Sequence, residues 1–309
     1  MHSKLIYLTD IHYSDTNPRS WKADYSATLL NSLKYIFDYA RLNKIHNVLH
    51  GGDLGHRFNW DSVMLTDFSR LRKEYQDIKF YTIIGNHDIP GRNISSLDGT
   101  GIGILRDYKQ NVLEIVNPGH TLDPLVLGSY NIYGFHSDWD QTNLLLTNKL
   151  KINFQPGINI ALIHAPIGAE TTPWTRGVKD LDIPGFDFCL FGDIHPGWTP
   201  YKCPSGGWLL NPGSFGRRNI NDSDRVTSAY VISDTQFTLL KVPEPPKEEL
   251  FNLRGHVAPI NKEYLEDMTK IRVLNNESLQ DIIQKKSKEL GVDKSGTERL
   301  LLELESKGE

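Results

Sequence analysis

Short apolar runs rich in β-branched and aromatic residues recur along the chain, at residues 5–8, 47–50, 80–84, 125–127, 131–135, 159–163, 188–191, 208–210, 229–232 and 237–242. Several are continuously apolar rather than alternating, the pattern of strands covered on both faces. Between the early runs the period changes to that of a helix. Over residues 24–42, Leu29, Leu33, Ile36, Phe37 and Ala40 fall on one stripe, and over 61–76 so do Leu65, Phe68, Leu71 and Tyr75. Early β-α-β alternation followed by a strand-rich second half predicts an α/β protein with a two-sheet core and helices outside.

Residues 139–157 are polar and irregular and are expected to be a surface excursion. Residues 166–185 carry Trp174 and Arg176 and are expected to border a site. Residues 242–249 (VPEPPKEE) have the composition of a proline-rich, charged linker. After them the character changes: 270–274 is expected to be a strand, and 277–290 and 297–305 helices. This divides the chain into a catalytic domain over 1–243 and a linker with a small C-terminal module over 244–309.

The 309 residues are ample for one large domain with its own core. The formal charge of -4 argues against a general nucleic-acid coat, so any contact with DNA must be local. Two cysteines, Cys189 and Cys203, form no CxxC pair and no disulfide framework, which fits a reducing compartment. The first residues form a core strand directly, leaving no room for a signal peptide, and no apolar run is long enough to cross a bilayer. A soluble cytoplasmic protein is expected.

Five short polar segments each follow an expected strand: Asp10-Ile11-His12, Gly51-Gly52-Asp53, Gly85-Asn86-His87-Asp88, His164, and Gly192-Asp193-Ile194-His195. In an extended segment, residues i and i+2 project the same way, so Asp10 and His12 can share one ion. Strand ends converge at one edge of an α/β sheet, where such folds place their sites. Mixed nitrogen and oxygen donors suit Mn, Fe or Zn rather than Ca. Each segment alone is a weak signal; the five together, in this order, are a strong one.

The series resembles that of the calcineurin-like metallophosphoesterases, DxH, GD, GNH(D/E), H and GHxH, over residues 1–245. The resemblance implies a four-layer α/β/β/α sandwich of two mixed sheets flanked by helices, with a small C-terminal α/β cap or helical tail. It implies two divalent metal ions, one held by Asp10, His12 and His195 and one by Asn86, His164 and Asp193, with Asp53 bridging them. His87 would face the phosphate and stabilise the leaving oxygen, and Asp88 would orient His87. Asp193 departs from the usual histidine. An anionic oxygen donor there should make the second site harder and favour Mn or Mg over Zn.

Three features resemble the SbcD-type DNA nuclease branch: the helix and strand leading to Gly52-Asp53-Leu54, His56 three residues after Asp53, and Asn211-Pro212-Gly213-Ser214 followed by Arg217 and Arg218. The branch implies that His56 helps place the phosphate and that Arg217 grips it bidentately. Arg92, shortly after Gly85-Asn86-His87-Asp88, is a further expected substrate contact. The resemblance implies a Mn-dependent DNA exonuclease or endonuclease, with an SMC-like ATPase subunit as partner. A homodimer is common in that branch. A helix at 297–305 would place Leu300, Leu301 and Leu304 on one face, for the ATPase or for its own domain. Two other readings stand beside this one: a phosphatase or diesterase acting on a small nucleotide, and a catalytically weak scaffold that keeps the fold.

Overall fold

A computed structural model gives the fold, and it describes residues 4–107, 112–117, 122–137 and 140–253. The chain divides into two compact units, Met1–Asn252 and Leu253–Glu309. The cap strand and helices expected at 270–274, 277–290 and 297–305 lie outside the described residues.

The first half alternates: β1 (Lys4–Leu8), α1 (Tyr25–Leu42), β2 (Asn47–His50), α2 (Ser62–Glu74), β3 (Lys79–Thr82), α3 (Gly101–Asp107) and β4 (Glu114–Ile115). The second half is strand-rich: β5 (Leu125–Leu127), β6 (Tyr130–Phe135), α4 (Asp140–Leu146), β7 (Ile158–His164), β8 (Ile167–Gly168), β9 (Arg176–Gly177), β10 (Phe188–Gly192), β11 (Tyr201–Lys202), β12 (Trp208–Leu210), β13 (Ser228–Ser233), β14 (Gln236–Lys241) and α5 (Lys247–Leu250). α1 and α2 start where Asp24 and Asp61 accept hydrogen bonds from the free amides of Ala27 and Met64.

The strands form two six-stranded mixed sheets, ordered β14-β13-β1-β2-β3-β4 and β11-β12-β10-β7-β6-β5. In the first, β1 to β4 run parallel, β13 pairs antiparallel with β1, and β14 pairs antiparallel with β13. In the second, β12, β10, β7 and β6 run parallel, and the edges β11 and β5 are antiparallel. Each strand shows its alternate residues to opposite faces. Leu5, Tyr7, Leu49 and Tyr81 of the first sheet therefore meet Ile132, Ile160, Leu162, Phe188 and Leu190 of the second in one buried layer. On the first sheet's outer face, Phe80 packs against Phe37 of α1 and Phe68 of α2, ring centroids 6.2 Å apart in both pairs. On the second sheet's outer face, Phe135, Ile163, Cys189 and Phe191 pack with Leu145 of α4 and the 178–186 segment. Two mixed sheets flanked by helices is the fold expected from the sequence. The stretch after 139, expected to be irregular, contains α4.

The segment expected to be a linker is packed instead. Val242 donates to the Thr227 carbonyl, and Glu244 forms a 2.7 Å ion pair with Arg217. Leu250 and Phe251 are buried, Phe251 with its ring 4.8 Å from that of Trp21. Prolines and charges describe an exposed chain only when nothing apolar follows them to anchor it. Here Leu250 and Phe251 do.

Candidate metal centre

Parallel strands point their C-terminal ends to one edge, and in both sheets these ends meet there. β1 delivers Asp10 and His12, β2 delivers Asp53, β3 delivers Asn86 and His87, β7 ends in His164, and β10 delivers Asp193 and His195. The loops are stitched together by backbone bonds. Asp10 donates to the Gly52 carbonyl (3.1 Å), His12 to Asp53 (3.0 Å) and Tyr13 to Leu54 (2.8 Å). Asp10, His12, Asp53 and Asp193 have φ of 52°, 50°, 56° and 89°. Four non-glycine residues in this disfavoured region mark a strained, functional edge. Gly85 permits the closest approach: a Cβ on it would lie 2.1 Å from Asp53 Oδ1 and 2.4 Å from the Asp53 nitrogen.

The donor atoms form two groups around one carboxylate. His12 Nε2 and His195 Nε2 stand 3.0 Å apart. His164 Nε2 stands 3.0 Å from Asn86 Oδ1 and 3.6 Å from Asp193 Oδ1. Between the groups, Asp53 Oδ2 lies 3.7 Å from His12 Nε2 and 3.6 Å from His164 Nε2. The other oxygen, Oδ1, accepts the His87 amide at 2.8 Å, so Oδ2 is left for both sides. Two donors each about 2.1 Å from one ion and at right angles lie about 3.0 Å apart, so the spacing within each group fits a divalent ion. Asp10 Oδ1 lies 3.9 Å from His12 Nε2, and Asp10 also groups with Asp53 and His164. The carboxylate of Asp10 is oriented by Thr9 Oγ1 (2.6 Å) and the Asp193 amide (3.1 Å), and the ring of His164 by its Nδ1, which donates to the Gly51 carbonyl (2.8 Å).

Burial and crowding unsettle the charges on Asp53, His164 and His12. Burial drives Asp53 well above the usual carboxylate range. His164 opposes the shift, while Asp88 and Asp10 add to it. Burial works against the charge on His164 too, but Asp53, Asp10 and Asp193 outweigh it and lift its pKa to about 9. Burial drives His12 well below the ordinary histidine range, reinforced by His195, His87 and His56. Asp53, Asp10 and Asp193 crowd one charged imidazole, a shortage of positive charge that divalent cations would relieve while accepting both donor types.

His87 and His56 lie beside these groups. Their rings stack with centroids 5.4 Å apart, and the His87 ring lies 4.9 Å from that of His12. Asp88 does not orient His87. It is buried, and its carboxylate accepts the amides of Asp53 and Gly85 at 2.8 Å and of Gly55 at 3.3 Å. The His87 ring is held by the His56 carbonyl, which accepts from Nδ1 at 2.9 Å. Asp88 thus frames the turn that presents Asp53, where three amides compete for it and leave nothing for an imidazole. Arg217 does not face the site either. It is buried on Glu244 and donates to the carbonyls of Ser223 (3.1 Å) and Arg225 (2.9 Å). Arg92 closes the turn Pro90–Arg92, and its side chain lies outside the described residues. Arg218, the second arginine of that turn, stands against the His12 loop where Arg217 was expected. Tandem arginines give no sequence signal to choose between them.

Residues 3–197 match the calcineurin-like phosphoesterase family. No curated protein matches the chain. Among solved structures, the chain is similar to TT1561 of Thermus thermophilus, at 11% identity and a TM-score of 0.46, covering 79% of this chain and 100% of that one. It is also similar to a dimetal phosphatase from Danio rerio, at 8% identity and a TM-score of 0.46, covering 78% and 99%. With the family's motif series converging on two donor groups and the match spanning most of the first unit, the chain belongs to the calcineurin-like phosphoesterase family, whose chemistry is metal-dependent phosphoester hydrolysis.

Proposed function

We propose that the protein hydrolyses phosphodiesters in DNA and that its native ions are two manganese ions. The observation that carries the two-ion reading is the position of Asp53 Oδ2, nearly equidistant from His12 and His164. Asp10, His12 and His195 would hold one ion, Asn86, His164 and Asp193 the other. Bound there, the ions supply Lewis acidity and lower the pKa of water toward neutrality. The chain's own residues do the rest. With Nδ1 committed to the His56 carbonyl, His87 has only Nε2 to offer the substrate, and its role is to donate to the leaving oxygen. Asp88 holds the Asp53 turn rigid, which keeps the donor groups at their spacing. DNA as substrate rests on the resemblance to the SbcD-type branch, and manganese on the oxygen donor that Asp193 adds.

A second reading, a small nucleotide as substrate, would use the cavity of about 230 Å³ lined by His164, Thr142, Thr147 and Arg176, which is smaller than the roughly 300–1,000 Å³ usual for such ligands. Digestion of end-labelled linear single- and double-stranded DNA with Mn²⁺ separates the two, with EDTA and His87→Ala as controls. Mn-dependent products absent from both controls support the DNA reading. Intact DNA alongside cleavage of bis-p-nitrophenyl phosphate sinks it and keeps the chemistry. Cleavage of neither, by protein shown to hold two ions, sinks both.

A further inference from the structure

Arg217 and Arg218 sit side by side in sequence and do opposite things. Arg217 turns into the protein and is neutralised by Glu244. Among the described residues no carboxylate forms an ion pair with Arg218. Its guanidinium lies 5.0 Å over the Tyr25 ring, and Tyr25 Oη donates to the His12 carbonyl at 3.3 Å. The side chain is thereby held against the loop that carries Asp10 and His12.

The mount is rigid. Ser214 donates to the His195 carbonyl (2.8 Å), Phe215 to Thr9 (2.8 Å) and Gly216 to Asp10 (3.0 Å), so the turn before Arg218 is stitched to both metal-binding loops. Gly216 makes this fit possible: a Cβ there would lie 2.2 Å from the Ile11 carbonyl oxygen and 2.5 Å from Tyr25 Oη. Ser20 Oγ fixes the Arg218 carbonyl from the other side at 3.4 Å.

Two nitrogens in this corner are buried without hydrogen-bond partners, Arg218 Nη1 and His56 Nδ1. Buried polar groups are ordinarily paired, and a buried cationic one the more so. A positive group with an unmet donor, held beside the loop that carries Asp10 and His12, has the complement of an anion.

We propose that Arg218 grips the phosphoryl oxygens of the substrate, and that Tyr25 positions Arg218 for this. The proposal rests on the phosphoester reading of the site.

The test is orthophosphate binding by calorimetry to the full chain loaded with Mn²⁺, for the wild type, Arg218→Ala and Arg218→Lys, with metal content by elemental analysis and melting curves alongside. Losing charge-assisted bonds to phosphate weakens binding roughly 10- to 100-fold in Arg218→Ala. Arg218→Lys should fall between, because an ammonium keeps the charge but not the fork. Metal content should stay at the wild-type level, and KM for bis-p-nitrophenyl phosphate should rise more than kcat falls. Wild-type affinity within twofold in folded, metal-loaded Arg218→Ala overturns the proposal. So does phosphate binding that is absent from the wild type, or lost only together with metal. Arg218-dependent phosphate binding by a protein that cleaves no phosphoester would leave this inference standing and sink the hydrolase reading.

Discussion

Removing Arg217 should damage the fold and spare the chemistry. Arg217 and Glu244 are 6% and 9% exposed and 2.7 Å apart. Arg217 also donates to two carbonyls, and Glu244 accepts from Thr227 Oγ1 at 2.8 Å and Ser32 Oγ at 3.3 Å. Taking one partner from a buried pair leaves the other charge uncompensated and costs about 3–5 kcal/mol. In a unit of this size 1 kcal/mol moves the melting temperature by about 2–4 °C, so Arg217→Ala and Glu244→Ala should each lower it by roughly 10 °C. Replacing both at once, as Arg217→Met with Glu244→Leu, removes both charges together and should recover most of the loss. Urea unfolding followed by circular dichroism gives the free energies, and KM for bis-p-nitrophenyl phosphate, measured well below every midpoint, gives the chemistry. An Arg217→Ala protein of unchanged stability whose KM rises tenfold or more would refute the reasoning and return Arg217 to the substrate.

Three other substitutions or treatments bear on the site. Gly85→Ala puts a methyl group into Asp53 and should cut bound metal below two ions per chain and hydrolysis by about 100-fold or more, with the far-ultraviolet spectrum retained; full metal occupancy would contradict the packing argument. Asp88→Asn turns an N–H toward the amides it now accepts, and should weaken Mn²⁺ binding about 10- to 100-fold in a fluorescence or calorimetric titration, with unchanged affinity as the disproof. Mn²⁺ at a hundred times its dissociation constant should stabilise the protein over EDTA by about 2.7 kcal/mol for each ion bound, because Asp10 and Asp53 are buried carboxylates that a bound cation would neutralise. A melting temperature independent of Mn²⁺ would count against the centre.

The strands that carry the site were legible because their burial on both faces leaves a continuous apolar signature, and each ends in a polar cluster at odds with it. The helices were legible from their stripes. The two-residue strands β4, β8, β9 and β11 are too short to show a period. The partner of Asp88 was not legible, since three amides brought together by two loops outcompete the adjacent ring, and sequence neighbours say nothing of that. Nor was the contrast between Arg217 and Arg218. Consecutive side chains on a turn diverge according to the turn's geometry, and Glu244, 27 residues further on, settles which one goes inward. The packing of residues 242–252 was hidden for the same reason: its anchors, Trp21 and Arg217, are far away in the chain.

Asp193 bears on substrate as well as on metal. Its Oδ1 lies 3.6 Å from His164 Nε2, the same distance as Asp53 Oδ2, so it reaches the second donor group as a carboxylate where the family motif has an imidazole. Asp10, Asp53 and Asp193 then bring three negative charges to two divalent ions instead of two. A loaded centre would carry one unit less positive charge than one with histidine at this position. A phosphomonoester near pH 7 is largely a dianion and a phosphodiester a monoanion. Coulombic preference for the dianion falls with the charge of the centre, and this supports a diester as substrate. Arg218 returns one positive charge, but to the edge of the site and as a directional donor rather than to the ions. A centre of reduced charge with a separate arginine for the phosphoryl oxygens is suited to holding a monoanionic phosphate by orientation more than by bulk attraction.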